Sequence, residues 1–299
     1  MSSIKPNHTL TYKTVDALQI PLDVYLPNNP QNAPVLLWFH GGGLLQGHRR
    51  AIAPHMRTAS QTHNFIAISA DYRLAPQVSI SDIFADVQDC IAFIRSAALP
   101  SLLGEGVIDS SRLAVSGSSA GGFLALLAGL YVDPKPNVIA PIYPITDPLG
   151  SFFTTPQDAG FARGGPSNDV LAPYLDVNAP VVVNSGNPPE DPRGNMYGYM
   201  LRTASLAALW GVDASKGGGD AAAYRISRNI YERGLPPAYI VHGDADTAVG
   251  VEQADEVVGA IKGCGLVIEY ERVHGEEHLF DNRADYSNEA LYAFVMRYL

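Results

Sequence analysis

Cysteine is nearly absent. Cys90 and Cys264 are the only two among 299 residues. One possible pair is too few for the disulfide framework that staples small secreted domains, so the fold must rest on an apolar core and a reducing compartment is acceptable. Long apolar runs are missing as well. Residues 138–145 are apolar but short, and Pro141 and Pro144 interrupt them, so nothing approaches the roughly 20 residues of a membrane-spanning helix. The first eleven residues are polar, carry Lys5 and His8, and lack the apolar segment of a secretory leader. A soluble, cytoplasmic protein is expected. Basic residues are the third scarcity: 20 Lys and Arg face 30 Asp and Glu, for a net charge of -10. Such a surface repels phosphate backbones and anionic lipid, which excludes nucleic acid and membrane as partners. It gives no reason to expect a cationic substrate. No internal repeat is present.

What is there is a large apolar fraction, 46% of residues, enough for one large domain or a domain with an insertion. Residues 22–26 alternate with period two, as in a strand partly open to solvent. Residues 35–39 and 65–70 are continuously apolar, which suits central strands covered on both faces. Ile83, Val87, Cys90, Ile91 and Ile94 recur at helical spacing and predict a helix over 82–95, capped by Ser81 or Asp82. Further strands are expected at 113–115, 138–140, 238–242 and 267–273, with helices at 122–130, 252–262 and 288–299. This alternation implies an α/β fold: a mostly parallel sheet flanked by helices on both faces.

The rhythm breaks between 147 and 236, where Pro, Gly and Asn are frequent and one amphipathic helix is expected over 195–210. Met196, Tyr197, Tyr199, Met200, Leu206 and Trp210 make this stretch too apolar for a free surface loop. It reads as a cap (147–236) inserted into a core of residues 1–146 and 237–299, roofing a cleft. Gly217-Gly218-Gly219 reads as a flexible joint, since no Lys-Ser/Thr follows to make a phosphate-binding loop.

Residues 117–121 read Gly-Ser-Ser-Ala-Gly, between the expected strand at 113–115 and the helix-forming stretch after Gly121. Glycine at both ends permits a turn so tight that Ser119 projects its hydroxyl alone above the sheet. Ester or amide cleavage also needs a base, a group to orient the base, and donors for the oxyanion. His40-Gly41-Gly42-Gly43 follows a strand, and backbone N–H groups of Gly42 and Gly43, with that of Ala120, are the candidate donors. The orienting acid comes from His242-Gly243-Asp244-Ala245-Asp246; Asp246 is preferred over Asp244 because it lies farther from the strand end, within reach of a neighbouring loop. The base comes from His274-Gly275-Glu276-Glu277-His278, where His278 stands clear of the strand and His274 abuts it. The same five residues match the H-x-x-E-H zinc pattern. That pattern needs a helix to put both imidazoles on one face, and Gly275 after a β-rich run opposes one, so no metal is expected. The chain order Ser119, Asp246, His278 is that of the α/β hydrolases.

With these residues in place the chain resembles the α/β-hydrolase superfamily, and within it the hormone-sensitive-lipase-like esterases (the fold-3 carboxylesterase group). The segments that carry the resemblance are HGGG at 40–43, DYRLAP at 71–76, GSSAGG at 117–122, HGDAD at 242–246 and HGEEHLF at 274–280. The resemblance implies the α/β-hydrolase fold and cofactor-free cleavage of carboxylic esters through an acyl-enzyme, and it gives Asp71 and Arg73 an architectural role only. The chain departs from the pattern at Ser118, where Asp is usual, at Leu279, where Gly is frequent, and at Asp246-Thr247-Ala248, where Asp-Pro-Leu is usual. The substrate pocket is expected to be apolar, formed by Leu44, Leu45, Phe123 and Tyr143 with Tyr197 and Trp210 from the cap. A small-to-medium apolar ester or lactone is the expected partner, with a homodimer as the one macromolecular association admitted. Two rivals stand beside ester hydrolysis: acyl transfer, cyclisation or C–C chemistry by the same triad on a natural-product-like metabolite, and a non-catalytic small-molecule receptor on a hydrolase scaffold, which usually lacks a triad member.

Overall fold

The apolar runs assemble into one eight-stranded sheet. The structure, a computed structural model, describes residues 4–160, 163, 165–212 and 219–299. The strands are β1 (His8–Val15), β2 (Leu18–Tyr25), β3 (Ala33–Phe39), β4 (Ile66–Ala70), β5 (Ile108–Ser118), β6 (Val138–Ile142), β7 (Ala238–Gly243) and β8 (Ile268–Val273). Their order is β1-β2-β4-β3-β5-β6-β7-β8. β2 pairs antiparallel with both β1 and β4, and every other pair is parallel.

Successive side chains of β3 enter opposite layers. Val35, Leu37 and Phe39 join the cluster that includes Ile83 and Val87 of α2 (Ile80–Arg95), Leu124 of α4 (Ala120–Tyr131) and Val257 of α11 (Glu252–Gly263). Leu36 and Trp38 join the other, with Met56 of α1 (Pro54–His63) and Tyr292 and Phe294 of α12 (Glu289–Tyr298). Both faces of the sheet are therefore covered, as continuous apolar strands require. A short helix α3 (Ala98–Leu103) follows α2. Register pairs Phe39 with Gly117, Ser118 with Ile142, Ile142 with Val241 and Gly243 with Val273. The carboxyl ends of five strands thus lie level, and functional loops gather at such an edge.

Several details differ from expectation. The stretch expected to be partly open to solvent is closed at Leu22, Asp23, Val24 and Tyr25, because Leu22 and Val24 enter one core layer, Tyr25 the other, and Asp23 pairs with Arg49. β1 itself and α1 were not expected; β1 is a half-exposed edge strand, and α1 is started by Pro54 at its first turn. α2 is capped by Ser79 rather than Ser81 or Asp82. Ser79 accepts from the Asp82 backbone N–H, and the Asp82 carboxylate accepts from the Ser79 N–H, a reciprocal capping box.

Between β6 and β7 lie α5 (Ser151–Thr154), α6 (Asn168–Leu175), α7 (Met196–Thr203), α8 (Leu206–Leu209), α9 (Gly219–Ala223) and α10 (Ile226–Arg233). The single helix expected over 195–210 is broken at Ala204, which takes the left-handed conformation at φ 51° and separates α7 from α8. α10 packs on α4 and α11, and Ser227 donates to Glu256 of α11 at 2.6 Å. Of the expected glycine joint, Gly217 and Gly218 fall outside the described residues and Gly219 opens α9. Among the described residues no helix is long and apolar enough to cross a membrane.

Candidate active site

β5 delivers Ser119 to the level edge of the sheet, and α4 leaves immediately after it. Ser119 occupies φ 58°, ψ -118°, a strained conformation that costs about 1–3 kcal/mol and persists only where neighbours enforce it. Its N–H donates to the Ile142 carbonyl oxygen at 2.9 Å, and its own carbonyl oxygen accepts from Phe123 and Ile145. The turn also requires bare backbone beside it. A Cβ on Gly121 would stand 2.0 Å from the Phe39 carbonyl oxygen, and one on Gly117 2.2 Å from that of Gly121.

The HGGG loop leaves β3 next to this elbow. Gly42 has φ 97°, and a Cβ there would stand 2.2 Å from the Gln46 carbonyl oxygen. Among the described residues the N–H groups of Gly42 and Gly43 donate to no protein acceptor, and Ala120, as the first residue of α4, has no helical partner for its own. His40 sits beneath the loop. Its ring stacks on Tyr72 with centroids 4.2 Å apart, its Nδ1 lies 2.8 Å from the Gly41 carbonyl oxygen, and the Tyr72 hydroxyl donates to the His40 carbonyl oxygen at 2.7 Å. His40 Nε2 is buried without a partner, and burial, against the opposing pull of Asp71, lowers the imidazole pKa to about 4. Asp71 is occupied by the Arg49 backbone N–H and guanidinium, each at 2.6 Å, and Arg73 is paired with Asp86.

The loops after β7 and β8 bring the acid and base candidates together in two separate pairs. His278 Nδ1 lies 2.6 Å from Asp246 Oδ2. His274, with its side chain 97% exposed, lies 3.1 Å from Asp244 instead. The segment between β8 and Phe280 is turn rather than helix, so the two imidazoles diverge onto different carboxylates. Among the described residues no group of three or more His, Cys, Asp or Glu is arranged to hold a metal ion. Asp246 Oδ1 accepts from the Ala248 and Val249 N–H groups at 2.8 and 2.9 Å, and buried His242 stands 3.4 Å from Oδ2. Burial alone would raise the Asp246 pKa, but hydrogen bonds from His242, His278 and the backbone outweigh it and hold the carboxyl well below the usual carboxylate range. Behind His278 the Tyr143 ring packs at 4.4 Å, its hydroxyl donating to buried Asp281.

Ser119 and His278 open onto one cavity of about 840 Å³, with Gly42 at its wall. Its lining residues differ from those expected. Of the six residues expected there, only Tyr197 contributes; Leu44, Leu45, Phe123, Tyr143 and Trp210 are fully buried in the core instead. Phe123 and Trp210 pack on each other at 5.0 Å, and the Trp210 indole N–H is turned inward to the Gly43 carbonyl oxygen at 2.7 Å. The lining includes polar and charged groups that the sequence did not single out: Gln46, Asp158, Arg163, Asn195, Arg202 and Glu277. Glu277 was legible as the neighbour of His278. Its carboxylate accepts from the Thr247 N–H at 3.0 Å, tying the loop after β8 to the loop after β7. Gln46 lies just past the HGGG loop, and the other four lie in the stretch between β6 and β7 that carries no motif.

The fold is that of the α/β hydrolases. A BD-FAE family model matches residues 22–152. A structure from Enterococcus faecalis described as an α/β-hydrolase superfamily protein superposes with a TM-score of 0.71, at 19% identity over 99% of this chain and 97% of that one. A Staphylococcus aureus protein of unknown function gives 0.73, at 22% identity over 97% and 96%. The butyrate-bound thermophilic esterase of Thermogutta terrifontis gives 0.64, at 21% identity over 98% and 92%. Among curated proteins the chain is similar to segments of non-reducing polyketide synthases. It is 26% identical to ausA of Aspergillus calidoustus over 93% of this chain, and 28% identical to ascC of Acremonium egyptiacum over 91%. It spans only 13% and 14% of the length of those relatives.

Proposed function

We propose that the protein is a serine hydrolase that cleaves a carboxylic ester through an acyl-enzyme, of the hormone-sensitive-lipase-like kind. The observation that carries this reading is the meeting of Ser119 and an Asp246-bonded His278 on one cavity beside unengaged Gly42 and Gly43 N–H groups. His278, oriented through Nδ1, takes the Ser119 proton as the hydroxyl adds to the ester carbonyl. The N–H groups of Gly42, Gly43 and Ala120 receive the oxyanion, a type of contact worth about 2.7–4 kcal/mol per donor. The alcohol leaves with the proton that His278 returns, and water activated by the same imidazole releases the acid. Asp246 keeps the imidazole in the required tautomer and compensates its charge. The segment 147–236 acts as the cap, a reading supported by the cavity residues it contributes, from Asp158 to Arg202.

The test is intact mass after a fluorophosphonate probe, on native protein, heat-denatured protein and Ser119→Ala. A single adduct on native parent only is the expected result; none on a folded parent would refute the nucleophile. A second reading, favoured by the polyketide synthase relatives, is that the acyl donor is a polyketide-like thioester and the acyl-enzyme is resolved by an internal nucleophile. Product analysis with a thioester whose acyl chain carries a hydroxyl group separates the two, since hydrolysis yields the free hydroxy acid and attack by the internal hydroxyl, with release of Ser119, a lactone.

A further inference from the structure

One residue of the cavity holds an unfavourable backbone conformation that its packing does not explain. Leu279 sits at φ 63°, ψ 19°, a left-handed region that L side chains rarely adopt and that glycine occupies freely. Leu44 and Tyr143 also have positive φ, at 59° and 35°, but both are fully buried, so core packing accounts for them. Among the described residues Leu279 is the large apolar residue at positive φ that stays open, 51% exposed. It lines the same cavity as Ser119 and His278, and it directly follows His278 in the chain.

From this, and resting on the hydrolase reading above, we infer that Leu279 is the specificity-determining contact for the leaving alcohol, and that the ester cleaved carries a bulky apolar alcohol. The chemistry fixes which part of the substrate meets it. In acylation the bond from Ser119 Oγ to the acyl carbon forms and the bond from that carbon to the alcohol oxygen breaks. The proton passes from Ser119 to His278 and on to the departing oxygen. The alcohol must therefore lie against His278, and Leu279, the next residue in the chain, lines the same cavity. An exposed leucine there gains by losing water against an apolar group, and a small polar alcohol gives it nothing. In deacylation the alcohol has gone and water takes its place, so Leu279 has no partner in that step.

The inference is tested with parent, Leu279→Gly and Leu279→Met on two butyrate esters, methyl and 2-naphthylmethyl. For Leu279→Gly, kcat/KM on the naphthylmethyl ester is expected to fall about tenfold, the scale of one lost leucine contact. The methyl ester changes less than twofold, and the decay rate of the shared butyryl-enzyme is unchanged. Leu279→Met restores most of the loss, and the melting temperature of Leu279→Gly is not below that of the parent, because glycine accepts the backbone. An equal loss on both esters, an altered deacylation rate, or a lower melting temperature would assign Leu279 a structural role and overturn the inference. Ser119 adduct formation by the parent with a flat alcohol profile overturns this inference alone; absence of the adduct overturns the hydrolase reading with it.

Discussion

Acid should weaken this protein well above the pH at which carboxylates titrate, and His40 is the reason. In the unfolded chain an imidazole takes up its proton near pH 6.5. In the folded protein burial lowers the His40 pKa to about 4, and an added proton on Nε2 would find only Asp71, 3.9 Å away. Between those values the unfolded state binds more protons than the folded one, so stability falls as pH falls from 6.5 toward 4 and levels off below. The displacement of about 2.5 units corresponds to roughly 3 kcal/mol, a large share of the 5–15 kcal/mol typical of a domain. His48 is lowered by burial too and adds a slope of the same sign. Asp246, held below the usual carboxylate range, contributes above its unfolded value and loses that contribution only as pH drops below about 4, so measurements above pH 4.5 leave it out. The assay is urea unfolding followed by the fluorescence of Trp38 and Trp210, both buried, at intervals from pH 7.5 to 4.5. His40→Gln keeps the acceptor for Tyr72, which is the backbone carbonyl of residue 40, and its stability should decline by about 2 kcal/mol less across that window. Parallel curves for parent and variant would refute the assignment.

Trp210→Phe keeps the packing against Phe123 but leaves the buried Gly43 carbonyl oxygen without its donor, so a loss of about 1–3 kcal/mol is expected in urea unfolding. The same variant should react about tenfold more slowly with a fluorophosphonate, since the proposed oxyanion loop loses an anchor. Ser79→Ala removes the side-chain half of the α2 capping box and should cost about 1 kcal/mol, read as a melting temperature about 2–4 °C lower, with probe labelling unchanged.

The parts of the site legible in the sequence are those whose chemistry constrains neighbouring residues. The elbow needs glycines two residues either side of Ser119, and the oxyanion loop needs them in a row. Both left local patterns. The strand run at 35–39 and the helix face from Ile83 to Ile94 were legible for a similar reason, since burial repeats with the period of the element. The pocket wall was not. Whether Trp210 faces substrate or core depends on a hydrogen bond to Gly43, 167 residues away in sequence, and no local pattern encodes that. The break between α7 and α8 falls at Ala204, a strong helix former forced left-handed, so tertiary docking overrides propensity there. β1 escaped notice because its alternation is half-exposed and polar, and Ser79 because two other capping residues stand next to it.

The HGGG loop does not stand alone. Gly43 and Leu45 are held through their carbonyl oxygens by Trp210 and Arg193, Gln46 through its side chain by the Tyr197 N–H, and Gly47 by Ser185. Every one of these partners belongs to the segment between β6 and β7. The arrangement works as an interlock: a roof swung away from the cleft would take with it the contacts that hold residues 43–47 in shape. Under the proposed hydrolase reading an open molecule would be a disarmed one, and a ligand that props the roof ajar would inhibit it without touching Ser119.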